Sequence, residues 1–153
     1  MSQFPEQIYK ISTTSASTTW RERHGRYNLV GTRCKDCGAL SFPRRNNCSY
    51  CHSRNMEEYE MPHTGKVFEI SVVENPGGGM MGWGELGVRA TVIVELDNGV
   101  KVFAEIVDIE DPFSIQQGTR VKMVLRKLRR SSNSDWMYGY KFILDEDDGQ
   151  EEI

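Results

Sequence analysis

The strongest regularity in the chain is an alternation of apolar and polar residues that sets in after Gly65 and recurs in five stretches. Residues 66–73 (KVFEISVV) form the first predicted strand. In the second, 88–96 (VRATVIVEL), period-two alternation puts Val88, Ala90, Val92, Val94 and Leu96 on one face. Asn98-Gly99 follows at once and predicts the pair of positive-φ residues of a tight hairpin turn. Residues 100–107 should then return antiparallel, with Val100, Val102, Ala104 and Ile106 inward. Two further strands fit 120–128 and 136–143, the latter with Trp136, Tyr138, Tyr140 and Phe142 on one side. Five antiparallel strands with a long connection after the first predict a mainly β protein. They are compatible with a five-stranded OB-fold barrel, although the pattern alone equally allows another small barrel.

Ahead of the strands the pattern changes twice. Residues 1–30 hold two predicted short helices, the first opened by Pro5 and the second by Ser17 or Thr18 ahead of Trp20-Arg21-Glu22-Arg23. Helices this short need a surface to pack on, so Trp20 is a candidate contact with the chain's own body or with another subunit. Residues 31–61 are rich in Arg, Asn and Ser and poor in aliphatic residues, the composition of a module in which metal replaces a core. The expected division is a helical segment at 1–30, a metal module at 31–61, a barrel at 62–144 and an acidic tail at 145–153. Residues 75–87 (NPGGGMMGWGELG) interrupt the barrel with six glycines. Met80, Met81 and Trp83 on so glycine-rich a loop are poorly explained by a private core, which makes them candidate partner contacts.

Composition narrows the class. A chain of 153 residues has room for one domain with a small appended module. No apolar run approaches the roughly 18 residues of a membrane span. The start, MSQFPEQIYK, lacks the apolar stretch of a signal peptide, so the expectation is a soluble, cytoplasmic protein without a membrane role. Six acidic residues crowd the last nine positions with no Lys or Arg among them; without them the formal charge of −3 becomes +3. Such a run reads as a solvated, disordered tail.

The metal module carries the sharpest motif. Cys34-Lys35-Asp36-Cys37 and Cys48-Ser49-Tyr50-Cys51 are two Cys-x-x-Cys turns, and a pair of such turns offers four thiolates to one structural zinc ion in a closed tetrahedron. An iron centre with the same ligands is the weaker reading. Gly38 permits the tight backbone that turns amides toward the sulfurs. Four thiolates on a dication leave a formal charge of about −2. The nearby Arg33, Lys35, Arg44, Arg45 and Arg54 either offset that charge or grip a phosphate. His52 and His63 read as surface or packing residues.

With every cysteine committed to metal, no thiol remains as a nucleophile. His24, His52 and His63 all precede the barrel, and neither a nucleophile elbow nor a phosphate-cradling glycine loop is present. The residues therefore describe a binding protein. A single-stranded nucleic-acid binder is one reading, with Arg126, Lys127, Arg129, Arg130, Trp136, Tyr138 and Tyr140 as a cationic, aromatic surface. The modest body charge and the acidic tail weaken the electrostatic contribution such binding needs.

The run Trp20-Arg21, Tyr27-Asn28-Leu29-Val30-Gly31-Thr32-Arg33-Cys34, Cys37-Gly38, Phe42-Pro43-Arg44 and Cys48-x-x-Cys51 resembles the acyl-CoA-associated domain-of-unknown-function-35 family. Ile106-Val107-Asp108, Gly118-x-x-Val121 and Tyr138-Gly139-Tyr140-Lys141-Phe142 extend the resemblance, which spans about residues 5–144. It implies a rubredoxin-like zinc ribbon joined to an OB-fold, acting as a non-catalytic scaffold beside thiolase-like or hydroxymethylglutaryl-CoA-synthase-like subunits that carry the catalytic Cys and His. The N-terminal run looks most similar to the small subunit of phloroglucinol-type acetyltransferases. On this resemblance Met80, Met81 and Trp83 become partner contacts. A lesser alternative has the barrel holding part of coenzyme A, with Arg44 or Arg45 near its phosphate.

Overall fold

A computed structural model of the chain describes residues 16–74, 88–130 and 136–145. The helix expected after Pro5 and the candidate contacts Met80, Met81 and Trp83 lie outside the described residues. So do residues 146–153 of the expected acidic tail.

One α-helix, α1 (Ala16–Asn28), opens the described chain. It begins before Ser17 and Thr18, so these residues lie in its first turn rather than capping it. The helix rests on the last barrel strand, where Gly139 leaves no room for a Cβ: an added one would sit 3.0 Å from Arg26 Cγ and 2.6 Å from Leu128 Cδ1.

Three short strands follow in the cysteine module: β1 (Val30–Cys34), β2 (Leu40–Ser41) and β3 (Met56–Glu60), in the antiparallel order β2-β1-β3. The hydrophobic pattern does not forecast them. Stretches such as VGTRC and MEEYE lack an apolar stripe, and what aligns them is the pairing of Gly31 with Tyr59 and of Thr32 with Glu58 and Ser41. Gly31 is required at the centre, since a Cβ there would meet the Ser41 carbonyl oxygen at 2.3 Å.

The five later strands match the expected ones closely: β4 (Thr64–Val73), β5 (Arg89–Leu96), β6 (Lys101–Ile106), β7 (Arg120–Arg130) and β8 (Trp136–Leu144). They close in the order β4-β5-β6-β8-β7, with β7 returning to β4. β6 and β8 run parallel and every other pair antiparallel. This order and closure define an OB-fold and exclude the other small barrels the pattern allowed. Ala90, Val92, Val94, Leu96, Val102, Ala104, Ile106, Val121 and Phe142 fill it, joined by Ile115 from the β6–β7 connection and by Leu29 and Met61 from the approach to and exit from the ribbon. Each large aliphatic side chain so buried contributes roughly 1.5–3 kcal/mol.

Three expectations change in detail. Val88 precedes β5 and is 46% exposed. The β5–β6 turn has positive φ at Gly99 alone (81°), because it is a three-residue loop in which Leu96 and Val100 close the hairpin and Asn98 Oδ1 accepts from the Val100 amide at 3.1 Å. Asp145 belongs to the barrel rather than to a solvated tail: its amide donates to Arg120 O at 3.1 Å and its carboxylate pairs with Lys122 at 3.2 Å.

Candidate functional site

The two Cys-x-x-Cys turns are built alike. In the first, the Gly38 amide donates to Cys34 O at 2.9 Å; in the second, the His52 amide donates to Cys48 O at 3.1 Å. Both turns need a left-handed residue, and Gly38 (φ 75°) and His52 (φ 59°) supply it. His52 is thus the conformational counterpart of Gly38, a role that residue type concealed. Asp36 ties the turns together by accepting from Ser53 Oγ and from Asn55 Nδ2 (3.0 Å).

The four sulfurs lie within 4.8 Å of one another, with Cys34–Cys51 and Cys37–Cys48 at 3.5 Å and no disulfide. A tetrahedron with Zn–S bonds of about 2.3 Å has edges of about 3.8 Å, so this cage fits one ion. Charge argues the same way. The Cys51 and Tyr50 amides hold the Cys48 thiol down at about 6, whereas crowding by Cys37 and Cys34 overrides the pull of the Ser53 amide and pushes Cys51 up to about 12. Four thiolates this close require a dication among them. Cys34 and Cys48 are buried, Cys37 and Cys51 exposed.

Two of the nearby cations turn to carboxylates rather than to the sulfurs. Arg44 pairs with Glu58 at 3.1 Å and approaches Glu22 at 4.0 Å, and Lys35 pairs with Glu57 at 3.6 Å. Arg45 is exposed, with its amide donating to Thr32 Oγ1 at 3.1 Å. His63, also exposed, meets Asn28 O through Nε2 at 3.2 Å. Trp20 is 66% exposed beneath the Arg23 guanidinium, 3.5 Å from its ring centroid.

Between α1, the ribbon and the outer face of β5, β6 and β8 lies a cleft of about 390 Å³ that sequence reasoning did not foresee. Its floor is charged. Arg89 holds Glu105 through two hydrogen bonds of 2.6 and 3.1 Å, and Lys141 reaches the same carboxylate at 2.8 Å. Burial raises the Glu105 carboxyl, but the bonds and charges of Arg89 and Lys141 outweigh it and hold the group below the ordinary carboxylate range. Period two was the available signal: these residues alternate with the core positions and would ordinarily face water. Among the cationic and aromatic residues of 126–140, Arg126 is engaged by Asp108 at 2.7 Å and Lys127 lies 4.9 Å over the Trp136 ring. No helix among the described residues is long and apolar enough to cross a membrane.

Fold and site together define a zinc-ribbon OB-fold protein, with four cysteines positioned for one zinc ion. Residues 23–57 match the model of the ChsH2 rubredoxin-like zinc ribbon domain, and residues 58–126 that of the ChsH2 C-terminal OB-fold domain. The chain is 37% identical to a DUF35 domain-containing scaffold protein of Pyrococcus furiosus, over 82% of this chain and 90% of that one. It is 27% identical to the benzoylsuccinyl-CoA thiolase subunit BbsA of Geobacter metallireducens, over 74% and 73%. A solved structure described as an Ltp2-ChsH2(DUF35) aldolase shares the fold with a TM-score of 0.64 at 23% identity, covering 88% of this chain and 96% of that one. The chain belongs to the DUF35 family.

Proposed function

We propose that the protein is a non-catalytic scaffold subunit that bridges thiolase-like, or hydroxymethylglutaryl-CoA-synthase-like, subunits in a cytoplasmic hetero-oligomeric acyltransferase complex. The observation that carries this reading is the near full-length similarity to a protein described as a DUF35 scaffold, supported by the resemblance to a thiolase subunit. The chemistry is consistent with it. All the thiols of the chain sit in one closed metal cage, which leaves no cysteine nucleophile. In this reading zinc holds the ribbon at 31–61 in shape, the barrel of 62–144 carries it, and exposed Trp20, with Met80, Met81 and Trp83 of the glycine-rich loop, contacts the partners. The finer expectation is acetyl transfer or carbon–carbon bond formation, with a phloroglucinol-type acceptor as one case. Arg44, which lines the cleft, is better placed than Arg45 to meet a phosphate of coenzyme A.

Co-expression with the products of neighbouring genes tests the proposal. A stable complex whose acyltransferase activity needs this chain supports it. A chain that stays monomeric beside an adjacent thiolase-like product, and leaves that enzyme's activity unchanged, sinks it.

A further inference from the structure

We infer that the cleft between ribbon, helix and barrel is a binding site for a small aromatic carboxylate, its charge held between Lys141 and Arg26 and its ring against Phe42, Phe103 and Leu128.

The argument begins with charge. Lys141 is one of the three buried polar or charged residues of the described chain, with a side chain 7% exposed, although it alternates with Phe142 and so projects away from the core. An ammonium has three N–H groups, and Lys141 spends one on Glu105, a carboxylate that Arg89 already holds twice. For stability alone, apolar residues of similar volume would serve as well or better than such a cluster. The cleft-lining side chains carry four cations, Arg26, Arg44, Arg89 and Lys141, against the carboxylates of Glu22 and Glu105, and of the four Arg44 is paired with Glu58 outside the cleft. Arg26 in particular has no carboxylate partner among the described residues, while its methylenes are fixed against Gly139. A ligand anion completes this arrangement.

The walls select the rest of the ligand. Phe42, Pro43, Phe103, Ala104, Leu128 and Tyr140 give apolar and aromatic surface around the charged floor. Phe42 stands edge-on to Tyr140 at 5.5 Å and 72°, whereas Phe103 is 68% exposed. A volume of about 390 Å³ lies within the roughly 300–1,000 Å³ usual for small-molecule sites. Apart from Arg44, which the scaffold reading offers to a phosphate of coenzyme A, neither that reading nor the zinc cage uses the residues of the cleft.

Naphthoate and its neutral isostere naphthamide, titrated into the full-length zinc-loaded chain by calorimetry and amide NMR, test the inference. Saturable naphthoate binding is expected, with shifts confined to Thr91, Phe103, Gly139 and their neighbours, and with naphthamide about tenfold weaker. Arg26→Gln removes a charge that no carboxylate among the described residues pairs with, and should weaken naphthoate about fivefold while leaving naphthamide unchanged. Phe103→Ala, at an exposed ring, should weaken both probes. Equal binding of acid and amide, indifference to Arg26→Gln, or shifts elsewhere would overturn the assignment. Absence of naphthoate binding would do so too, leaving the cleft to an acidic side chain of a partner. Because the isolated chain is measured, these outcomes are independent of whether the scaffold reading stands.

Discussion

The phenol of Tyr140 donates to the backbone oxygen of Phe103 over 3.1 Å, across the seam where the barrel closes. At that seam β6 and β8 share a single register pair, Ile106 with Phe142, next to one further backbone bond from Val107 N to Phe142 O at 2.9 Å. A side chain thus takes the place of the next rung of the ladder. Tyr140→Phe keeps the ring against Phe42 and removes only the bond, so it should lower unfolding free energy by about 0.5–1.5 kcal/mol. Denaturant titration measures this, and an unchanged midpoint and slope would show that the backbone alone holds the seam.

Glu105 is the hinge of the charged floor. Glu105→Gln leaves Arg89 and Lys141 buried without their shared anion, and the expected loss is about 3–5 kcal/mol. The pH dependence has a definite sign. The folded pKa is depressed below the ordinary 4.5, so the stabilisation is fully present above pH 4.5 and is lost as pH falls through the lower folded value. Denaturation midpoints taken down through that window should fall more steeply for the native chain than for Glu105→Gln. Parallel profiles would show that other carboxylates govern acid stability.

Metal removal should act first on the ribbon. Its strands carry little apolar surface, and structural zinc contributes roughly 10–16 kcal/mol of binding free energy in small modules of this kind. Chelation, or Cys37→Ser, should release residues 31–61, seen as collapse of their amide dispersion and new proteolytic cleavage, and should weaken assembly with partners. A zinc-free chain that kept its ribbon resonances and assembled normally would contradict this.

Gly31 allows a backbone-level test of the same module. A methyl at this position would meet the Ser41 carbonyl oxygen at 2.3 Å and Met61 Cε at 2.6 Å. Met61 can swing away, but the carbonyl is part of the β1–β2 pairing. Gly31→Ala should therefore cost about 1–3 kcal/mol and weaken zinc retention in a competition assay against a colorimetric chelator.

The barrel strands were legible because burial on one face imposes period two, which Ala90, Val92, Val94 and Leu96 display openly. The zinc ligands were legible because four thiolates on one ion leave a local spacing signature. The ribbon strands were not, since Val30–Cys34 and Met56–Glu60 are aligned by metal and backbone pairing rather than by an apolar stripe. The hairpin turn was half legible: Gly99 takes the left-handed conformation, but loop length, not the Asn-Gly pair, set the turn type.

By itself, then, the sequence determined the mainly β architecture, the zinc cage and the commitment of every cysteine to it, because each depends on residues close along the chain or on strict periodicity. Tertiary structure alone decided the closure order that makes the barrel an OB-fold, the equivalence of His52 with Gly38, and the cleft. Arg89, Glu105 and Lys141 look in sequence like the solvated faces of three strands. Only the docking of helix and ribbon over them removes the water and turns three surface charges into a buried cluster.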